Sequence, residues 1–90
     1  MTSSDGWARS AGSVWRRSGG RVVVLGPDHD EPLVLEGSGG EAWELLDEPR
    51  TQGELVRTLA SRYRTTPEVV EHDLVPFLEE LEQRGLVGRV

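Results

Sequence analysis

Three times between residues 38 and 68 of this 90-residue chain, a hydroxyl residue is followed three positions later by a glutamate: Ser38 and Glu41, Thr51 and Glu54, Thr65 and Glu68. In such a pair the hydroxyl accepts a hydrogen bond from an N–H of the first helical turn, and the glutamate reaches back to the cap. One match means little. Three, each heading an apolar pattern of helical period, predict three helix starts. The first helix is expected over residues 39–47, burying Ala42, Leu45 and Leu46 with Trp43 alongside, and Pro49 stops it. The second, over 52–64, presents Leu55, Val56, Leu59, Ala60 and Tyr63 on one face. The third, over 65–85, presents Val70, Leu74, Phe77 and Leu81 with Val69 and Leu78 flanking, and Gly85 supplies a left-handed terminator. Pro76 in its middle removes one N–H and strands the carbonyl of His72, so a bend is expected there.

The first 36 residues carry a different period. Residues 13–17 and 21–25 read as strands joined by the turn Ser18-Gly19-Gly20. The run Val22-Val23-Val24-Leu25 suits a central strand. A loop of turn formers, Gly26-Pro27-Asp28-His29-Asp30, leads into a third strand over 31–36. Pro32 cannot donate to a ladder, which puts this strand on an edge with one side exposed. Leu33 and Leu35 share one of its faces and Val34 takes the other. Residues 1–12 show no periodicity and are expected to form a mobile tail, with Trp7 either unpacked or clamped onto the domain or a partner. The expectation is an α+β domain over residues 13–90: a three-stranded antiparallel sheet followed by three helices, of winged helix-turn-helix type.

Several chemistries are excluded or unsupported. There is no cysteine, hence no disulfide, thiolate metal site or cysteine nucleophile. His29 and His72 lie in a loop and a helix without a partner one turn away, so no metal site is expected. Gly37-Ser38-Gly39-Gly40-Glu41-Ala42 fits a dinucleotide fingerprint, but a second helix follows where that fold needs a parallel strand, so turn and cap chemistry explains the glycines. No serine sits in a nucleophile elbow, and neither an enzyme nor a cofactor is expected. No stretch reads as a signal peptide or a membrane span, and a cytoplasmic protein is expected.

The net charge of −6 is uneven. Residues 1–27 hold Arg9, Arg16, Arg17 and Arg21 against Asp5, whereas the last helix holds Glu68, Glu71, Asp73, Glu79, Glu80 and Glu82 against Arg84. A helix that enters a DNA groove needs the opposite sign. Nucleic acid is therefore not the expected partner.

The segments Pro32-Leu33-Val34-Leu35-Glu36-Gly37 and Ala42-Trp43-Glu44-Leu45-Leu46-Asp47, then residues 51–63 and 70–87, resemble in order and spacing the PqqD family of peptide chaperones. The likeness runs from about Val14 to Val87. It implies a winged helix-turn-helix domain that recognises the leader segment of a ribosomally made, post-translationally modified peptide. Such a protein presents that leader to a maturation enzyme such as a peptidase or cyclase, without catalysis of its own. A Cys-Asp-Gly turn frequent in quinone-pathway members is replaced here by Leu46-Asp47-Glu48-Pro49, which leans toward a lasso or other peptide pathway. The resemblance also implies that the leader adds as an antiparallel strand along Glu31, Pro32, Leu33, Val34, Leu35 and Glu36. Val69, Val70, Asp73, Leu74 and Phe77 would then form the groove wall. Acidic residues there favour a leader bearing Lys or Arg, and the peptide-bound protein is expected to be a monomer that engages no membrane. The alternatives from other classes are a winged-helix transcriptional regulator on DNA and an accessory subunit that binds no peptide.

Overall fold

The computed structural model describes residues 6–27 and 30–90. The start of the expected tail, residues 1–5, and the loop residues Asp28 and His29 lie outside the described residues. In chain order the elements are β1 (Gly6–Arg9), β2 (Val14–Ser18), β3 (Arg21–Leu25), β4 (Leu33–Glu36), α1 (Ser38–Leu45), β5 (Arg50–Thr51), α2 (Gln52–Tyr63), α3 (Pro67–Gln83) and β6 (Val87–Arg89).

The expected meander is present. β2, β3 and β4 pair antiparallel in that order, with Val23 opposite Val34, Val22 opposite Leu35 and Val24 opposite Leu33. Alternation follows the period of two: Val22, Val24 and Leu35 are buried, while Val34 is exposed. Pro32 stands just ahead of β4, where its missing N–H costs no ladder bond.

A second sheet was not expected. Gly6–Arg9, assigned to the tail, form β1, which lies between β5 and β6 in a sheet of order β5–β1–β6. The tail reading fails here because one apolar side chain, rather than a periodic pattern, fastens the segment. Trp7 is fully buried, its indole N–H donates to Gln52 Oε1 at 3.3 Å, and the Arg89 guanidinium lies 4.4 Å over its ring. Trp7 therefore clamps onto its own domain. Arg9 of the same strand donates through Nε and Nη2 to the Trp43 carbonyl at 3.1 and 2.6 Å, its guanidinium 4.6 Å from the ring centre of Trp15 and 5.0 Å from that of Trp43. Arg50 Nε donates to the neighbouring Leu45 carbonyl. The last turn of α1 has no basic residue of its own, so β1 and β5 supply the cations its C-terminus favours.

Of the three expected capping boxes, one forms as read: Thr51 Oγ1 accepts from Glu54 N–H at 3.0 Å while Glu54 accepts from Thr51 N–H at 2.9 Å. At α3 the cap moves one residue on, to Thr66, because Pro67 suits the first helical position and Thr66 Oγ1 accepts from Val69 N–H. At α1 the cap is Gly37, at φ 59°, with no side-chain bond, and Ser38 is already helical. Helix α3 continues through Pro76 and ends as expected: Leu86 N–H reaches the Leu81 carbonyl and Gly85 N–H the Glu82 carbonyl, with Gly85 at φ 76°. Leu55, Val56, Leu59 and Ala60 of α2 and Leu74, Leu78 and Leu81 of α3 close the core with Ala42, Trp43 and Leu46. Leu45 is only partly buried, and Tyr63, read as the last residue of α2's apolar face, is exposed.

Candidate peptide-binding groove

β4 is an outer strand: β3 covers one of its edges, and no described strand pairs with the other. Along that open edge, alternate N–H and C=O groups point away from the sheet and can accept another strand. Helix α3 runs beside it, and the start of α1 closes the space between them. Gly40 makes this geometry possible, since a Cβ there would stand 3.3 Å from the Leu35 carbonyl and 3.4 Å from Val22. The neighbouring Gly39 faces the Phe77 ring, where a Cβ would be only 3.1 Å away. Glycines read from the sequence as turn and cap residues thus also let helix, strand and aromatic ring approach one another.

The result is a groove of about 450 Å³. Eight of the residues named from the sequence come together in its lining: Val34, Leu35, Glu36, Val69, Val70, Asp73, Leu74 and Phe77. Leu35 and Leu74 are buried and form its floor, whereas Val34 (48 % exposed) and Val69 (52 % exposed) present apolar surface to solvent. Glu31, Pro32 and Leu33 are not part of this lining. Glu31 and Leu33 border a separate small hollow with Val24, Gly26, Arg84 and Leu86, and Pro32 is exposed ahead of the strand. The sequence reading missed Ser38, Gly39, Leu59, Tyr63 and Thr65, which complete the groove. Tyr63 carried the one usable signal, an aromatic at the last position of an apolar helix face, where the core gives way to water.

Polar groups at the groove end are tied together. Glu41 accepts from Tyr63 Oη at 2.5 Å and from Arg62 Nη1 at 2.7 Å, linking the first turn of α1 to the last turn of α2. The Tyr63 hydrogen bond, then that of Arg62, holds the Glu41 carboxyl below its ordinary range, and the same contact with Glu41 pushes the Tyr63 phenol up. Glu36 pairs with Arg21 across the strands at 2.8 Å. Asp73 stands beside His72, 3.5 Å from its Nδ1.

An open sheet edge beside a helix-lined apolar groove defines a domain built to accept an extended segment. Within that class the chain belongs to the PqqD family: the family model for coenzyme PQQ synthesis protein D (PqqD) matches residues 21–87. The PqqA binding protein of Gluconobacter oxydans is 29% identical over 65 residues, covering 72% of this chain and 66% of that protein. The 1,4-alpha-glucan branching enzyme GlgB of Frankia casuarinae is 31% identical over 80 residues, covering 80% of this chain and 10% of that enzyme. The chain thus spans just under two thirds of the first of these relatives and a tenth of the second. Among solved structures, TbiB1 in complex with the TbiA(beta) leader peptide is similar at TM-score 0.81 and 28% identity, over 89% of this chain and 93% of that one. The solution NMR structure of the PqqD truncation of Methylobacterium extorquens PqqCD represents a stand-alone recognition element for ribosomally synthesized, post-translationally modified peptides. It is similar at TM-score 0.80 over 99% of this chain and 95% of that one; at 23% identity this is a likeness of fold.

Proposed function

We propose that this protein binds the leader segment of a ribosomally made precursor peptide and presents it, without catalysis, to the enzyme that matures it. The observation that carries this reading is the unpaired edge of β4 beside the groove bordered by Val34, Val69 and Phe77. The leader enters as a further antiparallel strand: main-chain hydrogen bonds to β4 supply affinity, and side chains lowered into the groove supply selectivity. Val34, Val69 and Asp73 make direct contact, Leu35, Leu74 and Phe77 form floor and wall, and Glu31, Pro32 and Leu33 guide the strand where it leaves the groove. Family membership supports the reading, as does the likeness to TbiB1, whose structure holds a leader peptide, and to a relative named for binding PqqA. The branching activity of the Frankia enzyme is not carried over from a match to a tenth of its length.

In this reading α2 and α3 form a helix-turn-helix and the β2–β3–β4 sheet is the wing. The recognition domain includes β1, so it begins by Gly6 rather than at residue 13. The partner is a leader peptidase, cyclase or other modifying enzyme of a lasso or related peptide pathway, and the protein works in the cytoplasm as a monomer when peptide is bound. No helix among the described residues is long and apolar enough to cross a membrane. The regulator alternative finds no support in α3, whose exposed residues include Glu68, Glu71, Asp73, Glu79 and Glu80.

The test is a titration of ¹⁵N-labelled protein with a synthetic leader from the precursor encoded beside its gene. Amide shifts should concentrate in residues 33–36 and 69–77. Saturation without perturbation of β4, or no binding at all, would sink the proposal.

A further inference from the structure

We infer, resting on the peptide-binding reading above, that Asp73 makes the groove selective for a peptide strand carrying Lys or Arg two residues from an apolar side chain. Three observations converge on this residue. The first is charge. Among the described residues no Lys or Arg lines the groove, whose polar residues are Glu36, Ser38, Tyr63, Thr65 and Asp73. Glu36 is met by Arg21, and Glu41 at the groove end is met by Arg62. Among the described residues Asp73 has only its neighbour His72 as an ion-pair partner, which carries charge only when protonated, and its side chain is 78% exposed.

The second observation is hydrogen-bond polarity. The Tyr63 hydroxyl proton is committed to Glu41, so the phenol oxygen offers only acceptor capacity to a guest. Asp73, an acceptor when ionised, likewise asks for donors, and ammonium and guanidinium groups supply them without an acceptor of their own, while the Ser38 and Thr65 hydroxyls can serve either way.

The third is spacing. Val69 or Val70, Asp73 and Phe77 occupy successive turns of α3, each three or four residues apart, or about 4.5–6 Å along the axis. Side chains on one face of a strand recur at about 6.6–6.8 Å. A strand lying on β4 therefore delivers consecutive groove-facing side chains at nearly the interval of the helix. One enters the apolar end beside Val34, and the next, two residues along, meets Asp73. Covered by the incoming strand, this pair loses water that a bare surface pair keeps, and a charge-assisted bond there is worth roughly tenfold or more in affinity.

The experiment is a display selection of random 12-residue peptides on the immobilised full-length protein, in wild-type, Asp73→Asn and Asp73→Arg forms. Asp73 is exposed, so both variants should keep the wild-type circular dichroism and melting behaviour. The wild-type pool should be enriched in Lys or Arg two residues from an aromatic or aliphatic residue. Asp73→Asn should abolish that enrichment, and Asp73→Arg should replace it with Asp or Glu at the same position. A synthetic peptide from the wild-type pool should lose about tenfold in affinity to Asp73→Asn but not to Glu79→Gln, a change on the same helix outside the groove. Peptides that bind the β4 edge with no basic preference, or with one that survives Asp73→Asn, would overturn the inference and leave peptide binding standing. A wild-type pool indifferent to disruption of the β4 edge by Val34→Asp would overturn both.

Discussion

In the sheet β5–β1–β6, the central strand is paired on both sides, and its Trp7 is completely buried. In the sheet β2–β3–β4, the four-residue β4 is left open on one side with Val34 half exposed. Both sheets have three strands, but their outer strands are treated differently. β5 is two residues long and runs straight into α2, and β6 is three, so neither offers much unpaired backbone. β4 keeps its edge accessible and stands beside an apolar groove instead of a blocking helix or loop. The first sheet fastens the chain ends to the core; the second is offered to a guest. Stability and binding should therefore be separable by mutation.

The largest expected effect falls on the closed sheet. Trp7→Ala should cost about 3–5 kcal/mol, since it empties a fully buried site and removes the donor facing Gln52. Against a total of about 5–15 kcal/mol for a domain, that brings the fold near its margin. Urea denaturation reads the loss, and peptide affinity of the fraction still folded should not change. A variant of normal stability that no longer binds peptide would show that the two sheets are not independent.

The converse change is Val34→Asp on the open edge. Val34 faces solvent opposite Val23, so the fold should lose no more than about 1 kcal/mol. Leader affinity should fall at least tenfold, or about 1.4 kcal/mol, as the apolar surface that Val34 offers the guest is replaced by a hydrated charge. Calorimetry with the leader measures the change; an unaltered affinity would move the peptide off β4.

The open sheet was legible in the sequence because its signals are local: a Gly-containing turn, a β-branched run, alternation across Leu33, Val34 and Leu35, and a proline ahead of the strand. Most of the groove lining was named too, but through the resemblance to the PqqD family, which pointed to Val69, Val70, Asp73, Leu74 and Phe77 beside that strand; no local pattern separated them from core residues. The closed sheet was not. Gly6–Arg9 is too short for alternation to register, and its partners lie more than 40 positions away, where Trp7 pairs with Arg50 and Arg89. The Ser38 cap was misread because the serine–glutamate spacing is right but Gly37, in a left-handed conformation, takes the cap. Glu41, freed from that role, instead binds Arg62 and Tyr63 some 20 residues on, which no local pattern announces.

A smaller effect should set stability and binding against each other at one position. Gly39 is helical, and replacing glycine by alanine inside a helix gains up to about 1 kcal/mol. The new Cβ would stand 3.1 Å from the ring of Phe77, a partly buried residue of the groove lining, so the ring must shift. Gly39→Ala should leave stability equal or slightly higher while weakening the leader several-fold as the ring moves. Stability lost together with binding would instead mean that Phe77 is held as firmly as the core residues beneath it.

The smallest effect concerns the Glu41 junction between α1 and α2. Its carboxyl titrates below the ordinary 4.5 because Tyr63, then Arg62, stabilise the ionised form. A folded-state value below the unfolded one gives stability that is present above about pH 4.5 and is lost as pH falls through the lower folded value. The difference between wild type and Glu41→Gln should therefore be present at neutral pH and vanish in acid. It should be no more than a few tenths of a kcal/mol, because solvent reaches the pair and screens it. Melting temperatures of both proteins from pH 3 to 7 provide the measurement, with curves that converge at the acid end. Parallel curves would mean that Tyr63 and Arg62 hold the amide as well as the carboxylate, so that the junction is set by hydrogen-bond geometry and not by charge.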